Sequence, residues 1–287
     1  MERNIMKNMN IKLVIAYDGS NYLGWQRLGG ENKFRSIQGY IEEVLQEILS
    51  EKIKIVGSGR TDAGVHAMGQ VANFYLPSSF LSEKSFPGCD KVLEKGNLTE
   101  NWCRWFRDCC NRKLPEDIRI KDVEQVEMEF HSRFSAISKT YIYRLDTRTV
   151  PQVFARKYAL WVGETLDIGA MKECADLFLG EHDFRGFSSV KDEEKNTLRT
   201  IEDISFSMED SILTISIKGN GFLYNMVRIL VGTMIEIGQG KRTISQVKDA
   251  LECSKRQMAG ITVSSVGLCL KQVEYPSTKE IQVNMLL

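Results

Sequence analysis

Ile11, Leu13, Ile15 and Tyr17 alternate with Lys12, Val14, Ala16 and Asp18 until Asp18-Gly19-Ser20, a pattern that predicts a strand ending in a turn. An aromatic loop, Tyr22-Leu23-Gly24-Trp25-Gln26, follows. From Ser36, placed as an N-cap, Ile37, Ile41, Val44, Leu45, Ile48 and Leu49 recur at helical spacing. The apolar run Ile53 to Val56 and the alternating run Gln70 to Leu76 predict two more strands. Residues 77 to 100, rich in Pro, Ser, Gly, Glu and Lys, are expected as an excursion on the surface. Asn101 to Leu114 is expected as a helix with Trp102, Trp105, Phe106 and Cys109 on one side, stopped by Pro115-Glu116-Asp117. Ile118 to Phe130 is one or two strands whose Asp122, Glu124, Glu127 and Glu129 form a solvated acidic face.

The second half repeats this layout. Tyr141, Tyr143 and Leu145 share one face of a strand. Asp167 caps a helix carrying Met171, Cys174, Ala175, Phe178 and Leu179, with Gly180 in the C-terminal glycine position. Ile201 to Met208 and Ile212 to Lys218 are strands joined by Glu209-Asp210-Ser211. Leu223, Met226, Val227, Leu230, Val231, Met234 and Ile235 mark a strongly amphipathic helix. Thr243 with Gln246 makes a capping box for another, and Val266 to Val273 is a last strand. Strands with helices between them in both halves imply an α+β chain of two similar sheet-plus-helix domains, residues 1–128 and 129–287. A cleft between two such sheets suits a large, extended ligand.

At 287 residues, with 43% hydrophobic and 26% charged, the chain has ample core material and no composition of a disordered protein. Its 38 basic and 38 acidic residues cancel, so a basic surface has to arise by segregation. The 7 cysteines contain no C-x-x-C pair and are odd in number, which fits buried reduced thiols in the cytosol better than disulfides or zinc. The polar start, Met1 to Asn10, and the lack of any membrane-length apolar run lead us to expect a soluble cytoplasmic protein. No nucleotide cofactor is indicated, because neither a Walker pattern nor a G-x-G-x-x-G setting occurs. The 3 histidines, His66, His131 and His182, are too scattered for a metal site.

The most polar and glycine-rich stretch, Gly57 to Gln70, lies between two strand-like runs. Alone, Gly59-Arg60-Thr61-Asp62 reads first as a hairpin turn capped by Asp62, with Arg60 solvated, and only second as a site carried on a loop. Asp62 is the only carboxylate there. A single carboxylate speaks against ordinary glycoside hydrolysis but suffices for a nucleophile or proton acceptor. Arg60 and Asp62, two apart, share a face of an extended segment. Arg228, at the edge of its helix stripe near Ile235 and well away from Asn225, is either a counter-charge or a snorkelling flank residue. Tyr141 is either core or a ring on which a nucleobase stacks. His66 is a structural or RNA-contacting residue. Arg144, Arg148, Arg156, Lys157, Arg185, Lys191, Lys195 and Arg199, interleaved with Tyr158, Trp161, Phe184 and Phe187, fit phosphate contacts or an ordinary charged surface.

Taken together, several strings resemble the TruA family of tRNA pseudouridine synthases. They are Gly59 to Ala67 with Gly69-Gln70-Val71, Tyr17-Asp18-Gly19 with Gly24-Trp25-Gln26, Leu114-Pro115-Glu116-Asp117-Ile118, and His131 to Ala136 with Lys139 to Tyr143. Asn196 to Ile201 and Gly219 to Arg228 complete the set. The resemblance implies RRM/ferredoxin-like domains whose sheets join around a central RNA-binding cleft. It implies an isomerase that needs no cofactor or metal and makes pseudouridine at positions 38, 39 and 40 of the tRNA anticodon stem and loop. Asp62 then maps to the catalytic nucleophile and Arg60 to a residue that displaces the base. Arg228 maps to the partner of the carboxylate, Tyr141 to the stacking ring and Leu268 to an apolar contact near the base. A homodimer binding the tRNA anticodon arm, with no membrane contact, is also implied. Residues 77 to 112 look longer than the usual connection, which bears on the RNA footprint. The rival readings are a non-catalytic RNA-binding protein, a related synthase acting on another RNA, and a hydrolase with an aspartate nucleophile.

Overall fold

The computed structural model describes residues 8–30, 35–77, 86–89, 91–95 and 97–276. They form two units: the chain up to Ala136 together with Tyr275 and Pro276, and the stretch Ile137–Glu274.

In the first unit β1 (Asn8–Tyr17), β2 (Val56–Gly57), β3 (His66–Pro77) and β6 (Ile118–Val126) make an antiparallel sheet in the order β6-β1-β3-β2. A short hairpin, β4 (Leu93–Glu94) and β5 (Asn97–Leu98), stands apart. The strand alternation read from the sequence is real, since Ile11, Leu13 and Ile15 of β1 are each 0% exposed. Helix α1 (Ile37–Leu49) starts at Ser36, whose hydroxyl accepts the Gly39 N–H, and buries Ile37, Ile41, Val44, Leu45 and Leu49. Helix α2 (Glu100–Lys113) buries Trp102, Phe106 and Cys110, spaced four apart, so Cys110 and not Cys109 completes its apolar stripe. Trp102 stacks on Phe106 at 4.7 Å, and Phe106 reaches Phe74 of β3 at 6.3 Å. Each such ring removed from water contributes on the order of 2–3 kcal/mol.

Two expectations change here. Residues 78–85, 90 and 96 of the excursion lie outside the described residues, as do 1–7 at the start. Within the described part, Phe86 is core rather than surface, lying edge-on to Trp102 and Trp105. The first unit also runs past the boundary drawn at 128/129, to Ala136. The cause is a buried amide pair. Asn10 donates to the carbonyls of Glu127 (3.0 Å) and Phe130 (2.7 Å), while Asn73 Oδ1 accepts the Ser132 N–H at 3.0 Å. Asn73 Nδ2 closes the network onto Asn10 Oδ1 at 2.9 Å. Leaving such groups unpaired would cost about 1–3 kcal/mol each, so this segment stays with the sheet.

The second unit contains β7 (Ser138–Asp146), β8 (Leu160–Trp161), α3 (Ile168–Asp176), β9 (Gly180–Asp183), β10 (Leu198–Glu209) and β11 (Ile212–Gly219). After these come α4 (Met226–Gly238), α5 (Ile244–Cys253) and β12 (Leu268–Glu274). Its strands run β12-β7-β11-β10-β9, with β8 parallel to β7. As in the first unit, the first long strand sits between the last and the next-to-last, so the repeated layout holds at the level of strand order. The β10–β11 turn places Asp210 (φ 47°) and Ser211 (φ 60°) in the left-handed region, the twist a two-residue hairpin needs. Asp167 caps α3 as expected, but α3 ends at Asp176. Gly180 (φ +90°) opens β9 instead of closing the helix, because the chain unwinds through i→i+3 bonds from Leu177 to Cys174 and Phe178 to Ala175. Among the described residues no helix is long and apolar enough to cross a membrane.

Candidate active site

The segment Gly57–His66 joins β2 to β3, and β1 with its following loop holds it from below. The Tyr17 hydroxyl and Thr61 Oγ1 are 2.7 Å apart, and the Trp25 N–H donates to the Thr61 carbonyl at 3.0 Å. Gly24 runs so close that a Cβ there would meet the Thr61 carbonyl oxygen at 2.6 Å, and its φ of +103° itself favours glycine. On the far side of Asp62, the Gly64 N–H donates to the Tyr22 carbonyl (3.2 Å) and the Val65 N–H to the Asp62 carbonyl (3.2 Å). Gln70 ties the start of the loop, accepting from Ser58 Oγ (2.6 Å) and donating to the Gly59 carbonyl (3.0 Å). Asp62 is half-buried, with anchored backbone on both sides. That is the pre-organisation a reacting carboxylate requires.

Arg60 and His66 take opposite roles in this loop. Arg60 is exposed, and its Nε–H donates to Gln26 Oε1 at 2.9 Å. His66 is only 6% exposed. Its Nδ1 lies 3.1 Å from both the Gly19 N–H and Asp18 Oδ1, contacts that require a bare and a protonated nitrogen respectively. Asp18 Oδ1 already accepts from the N–H and hydroxyl of Ser20, so the bare nitrogen accepting from Gly19 fits the donors better. Either way the ring fastens the loop to the turn after β1.

In the second unit Tyr141 and Tyr143 of β7 stand opposite Ile217 and Ile215 on one side and Leu270 and Leu268 on the other. Opposed residues share a sheet face, so Tyr141, Tyr143 and Leu268 lie together. Tyr141 is 8% exposed and meets Phe222 edge-on at 5.1 Å. The Tyr143 hydroxyl donates to the Ser264 carbonyl at 2.6 Å. Burial pushes this phenol well above its ordinary range, and the positive charge of Arg228 opposes the shift. Arg228, in the first turn of α4, is half-buried and gives its Nε–H to the Val263 carbonyl (2.7 Å) and Nη1 to Asn225 Oδ1 (2.7 Å). Arg228 and Asn225 are not far apart, contrary to the helical spacing, since Asn225 is not in the helix. It is the left-handed N-cap (φ 60°), from which its side chain reaches forward.

The basic stretch is only partly a charged surface. Arg185 holds its own loop through the carbonyls of Asp192, Glu193 and Lys195, and Arg148 pairs with Asp146. Phe184 and Phe187 are core, whereas Tyr158 (42%) and Trp161 (46%) are open. Among the described residues no cluster of His, Cys, Asp and Glu is placed to hold a metal ion.

The model of a tRNA pseudouridine synthase family matches residues 13–135 and 174–276. The chain belongs to the tRNA pseudouridine synthase family. It is 42% identical over 267 residues to a tRNA pseudouridine synthase A of Bacillus sp. (strain KSM-64), covering 93% of this chain and 99% of the relative. A protein of the same description from Acetivibrio thermocellus is 40% identical over 266 residues, again 93% and 99% of the two chains. A tRNA pseudouridine synthase A 2 from Clostridium perfringens is 39% identical with the same coverage, 93% and 99%. Arg60, Asp62, His66, Arg228 and Leu268 lie within the segments matched to the synthase family, while Tyr141 falls between them. What sequence reasoning passed over are the contacts that hold the site: the Tyr17 hydroxyl against Thr61, and the Val263 carbonyl against Arg228. The strings Tyr17-Asp18-Gly19 and Gly24-Trp25-Gln26 carried that signal, since both prove to be the floor of the Asp62 loop.

Proposed function

We propose that this synthase converts uridine to pseudouridine at positions 38, 39 and 40 in the anticodon arm of tRNA, with Asp62 as the nucleophile. The observation that carries the assignment is the double anchoring of Asp62, through Thr61 to Trp25 and through Gly64 to Tyr22, in a loop with no other carboxylate. The reaction breaks the bond from uracil N1 to ribose C1′, turns the base and joins C5 to C1′. The C5 proton goes to solvent, N1 gains one, and no redox step intervenes. Tyr141 retains the detached uracil by stacking, with Leu268 as an apolar neighbour, and Arg228 keeps the reacting carboxylate charged. Arg60 acts on the RNA to displace the base, and His66 fixes the loop. The protein works as a cytoplasmic homodimer; its free cysteines fit a reducing compartment.

The test is anticodon-arm RNA tritiated at uracil C5. Isomerisation releases tritium and leaves the chain and its base intact; a non-catalytic RNA-binding module releases none, and a hydrolase frees uracil. Asp62→Asn abolishes release while RNA affinity stays within about threefold, because a neutral isostere removes charge but little contact. Release by Asp62→Asn at the wild-type rate sinks the assignment. Release confined to an RNA other than tRNA favours the related synthase.

A further inference from the structure

Arg60 does not stand alone on the loop. Its Nε–H donates to Gln26 Oε1 (2.9 Å), Gln26 Nε2 donates to Gln38 Oε1 (2.9 Å), and Gln38 Nε2 donates to Glu42 Oε1 (2.9 Å). Glu42, on α1, is 4% exposed, and its charge is balanced by Arg27 Nη1 on Oε2 at 2.7 Å. The orientation of each amide is forced from the buried end. Gln38 Nε2 also faces the Ile55 carbonyl (3.0 Å), and Gln38 Oε1 takes the backbone N–H of Arg27 (3.0 Å), so neither side of this amide can flip without losing its partners. An acceptor-only Oε1 on Gln38 requires Gln26 to present its NH₂, which leaves Gln26 Oε1 for Arg60. All three donors therefore point the same way, from an exposed cation to a buried carboxylate, and bonds aligned in this manner polarise and strengthen one another.

We infer that Gln26, Gln38 and Glu42 form a relay that positions the guanidinium of Arg60 for the isomerisation. This rests on the reading of Arg60 as a residue that acts on the RNA. Fixing Nε fixes the plane of the fork, and a long side chain on an exposed loop otherwise samples many rotamers. Gln26 is a positioning residue that acts through Arg60, and Gln38 orients Gln26 while also holding the backbone of Arg27 and Ile55.

Two measurements test this. In arginine side-chain NMR, the Arg60 Nε–H of the wild type exchanges slowly and is shifted from the solvated position. In Gln26→Ala and in Gln38→Met it returns to that of a solvated arginine. An Arg60 signal identical in all three proteins overturns the relay, whatever the enzyme does. The second measurement is single-turnover tritium release. Gln26→Ala slows it about fivefold, with RNA affinity within about twofold and an unchanged melting temperature, because Gln26 is exposed. In an Arg60→Ala background the same substitution changes the rate by less than about 1.5-fold, since its route is already gone. Additive losses, or no loss from Gln26→Ala, overturn the positioning role and leave the function of Arg60 intact. An Arg60→Ala enzyme with the wild-type rate overturns both.

Discussion

The carbonyl of Thr61 receives the Trp25 N–H because the chain at Gly24 passes within reach, and that approach leaves no room for a side chain. Gly24→Ala should therefore cost about 2–3 kcal/mol, from a φ of +103° and a Cβ 2.6 Å from oxygen. Urea unfolding measures the first effect, and loss of tritium release beyond that explained by unfolding reports displacement of Asp62. Arg228 is held by two bonds made with different nitrogens. We expect Arg228→Met to lower turnover far more than RNA affinity. Arg228→Lys should recover little, since a single ammonium restores the charge but not the fork. Equal turnover in Arg228→Met and wild type would return this residue to a helix-flank role.

Most elements were legible in the sequence because short-range chemistry decides them. Ser36, Asp167 and Thr243 act as the N-caps expected, and the Thr243–Gln246 capping box closes in both directions. Thr243→Ala should lower stability by about 1 kcal/mol, read as a shift in the melting temperature with tritium release unaffected. One departure was set by strand pairing. The apolar run Ile53 to Val56 yields only Val56–Gly57 as strand, because pairing to Asn73 and Ala72 of β3 decides its length, and no property of the run itself records that. The same holds for the candidate site. The Arg60–Asp62–His66 loop was visible as a string. The chain of amides from Gln26 to Glu42 was not, since side-chain bonds between a loop and a helix leave no periodicity to read.

At the scale of the whole molecule, the second unit holds three carboxylates, Asp146, Asp183 and Glu274, below their ordinary range. Burial alone would raise Asp146, but the N–H groups of Gln152 and Arg148 and the Arg148 charge outweigh it. Asp183 is likewise raised by burial and lowered further by Thr197, the Arg185 N–H and Arg185 charge, and Ser254. Lys218 and Ser138 lower Glu274. A depressed folded-state value means stability that is fully present above the unfolded range of about 4 and lost as pH falls toward the folded values. Between about pH 5 and pH 3, protection factors for amide exchange should fall in residues 137–274, around Asp146, Asp183 and Glu274; unchanged protection there would contradict the assignment. Tyr275 adds a constraint of another kind. Its hydroxyl donates to the Ser132 carbonyl at 2.7 Å, its ring lies 4.9 Å from Phe130, and the Lys12 ammonium sits 5.8 Å from its centre. A nascent chain emerging from the ribosome has made β1 to β6 long before it reaches this tyrosine. Release of a chain that stops short of Tyr275 would thus injure the unit whose strands were translated first, and the first-made unit is the last to be finished.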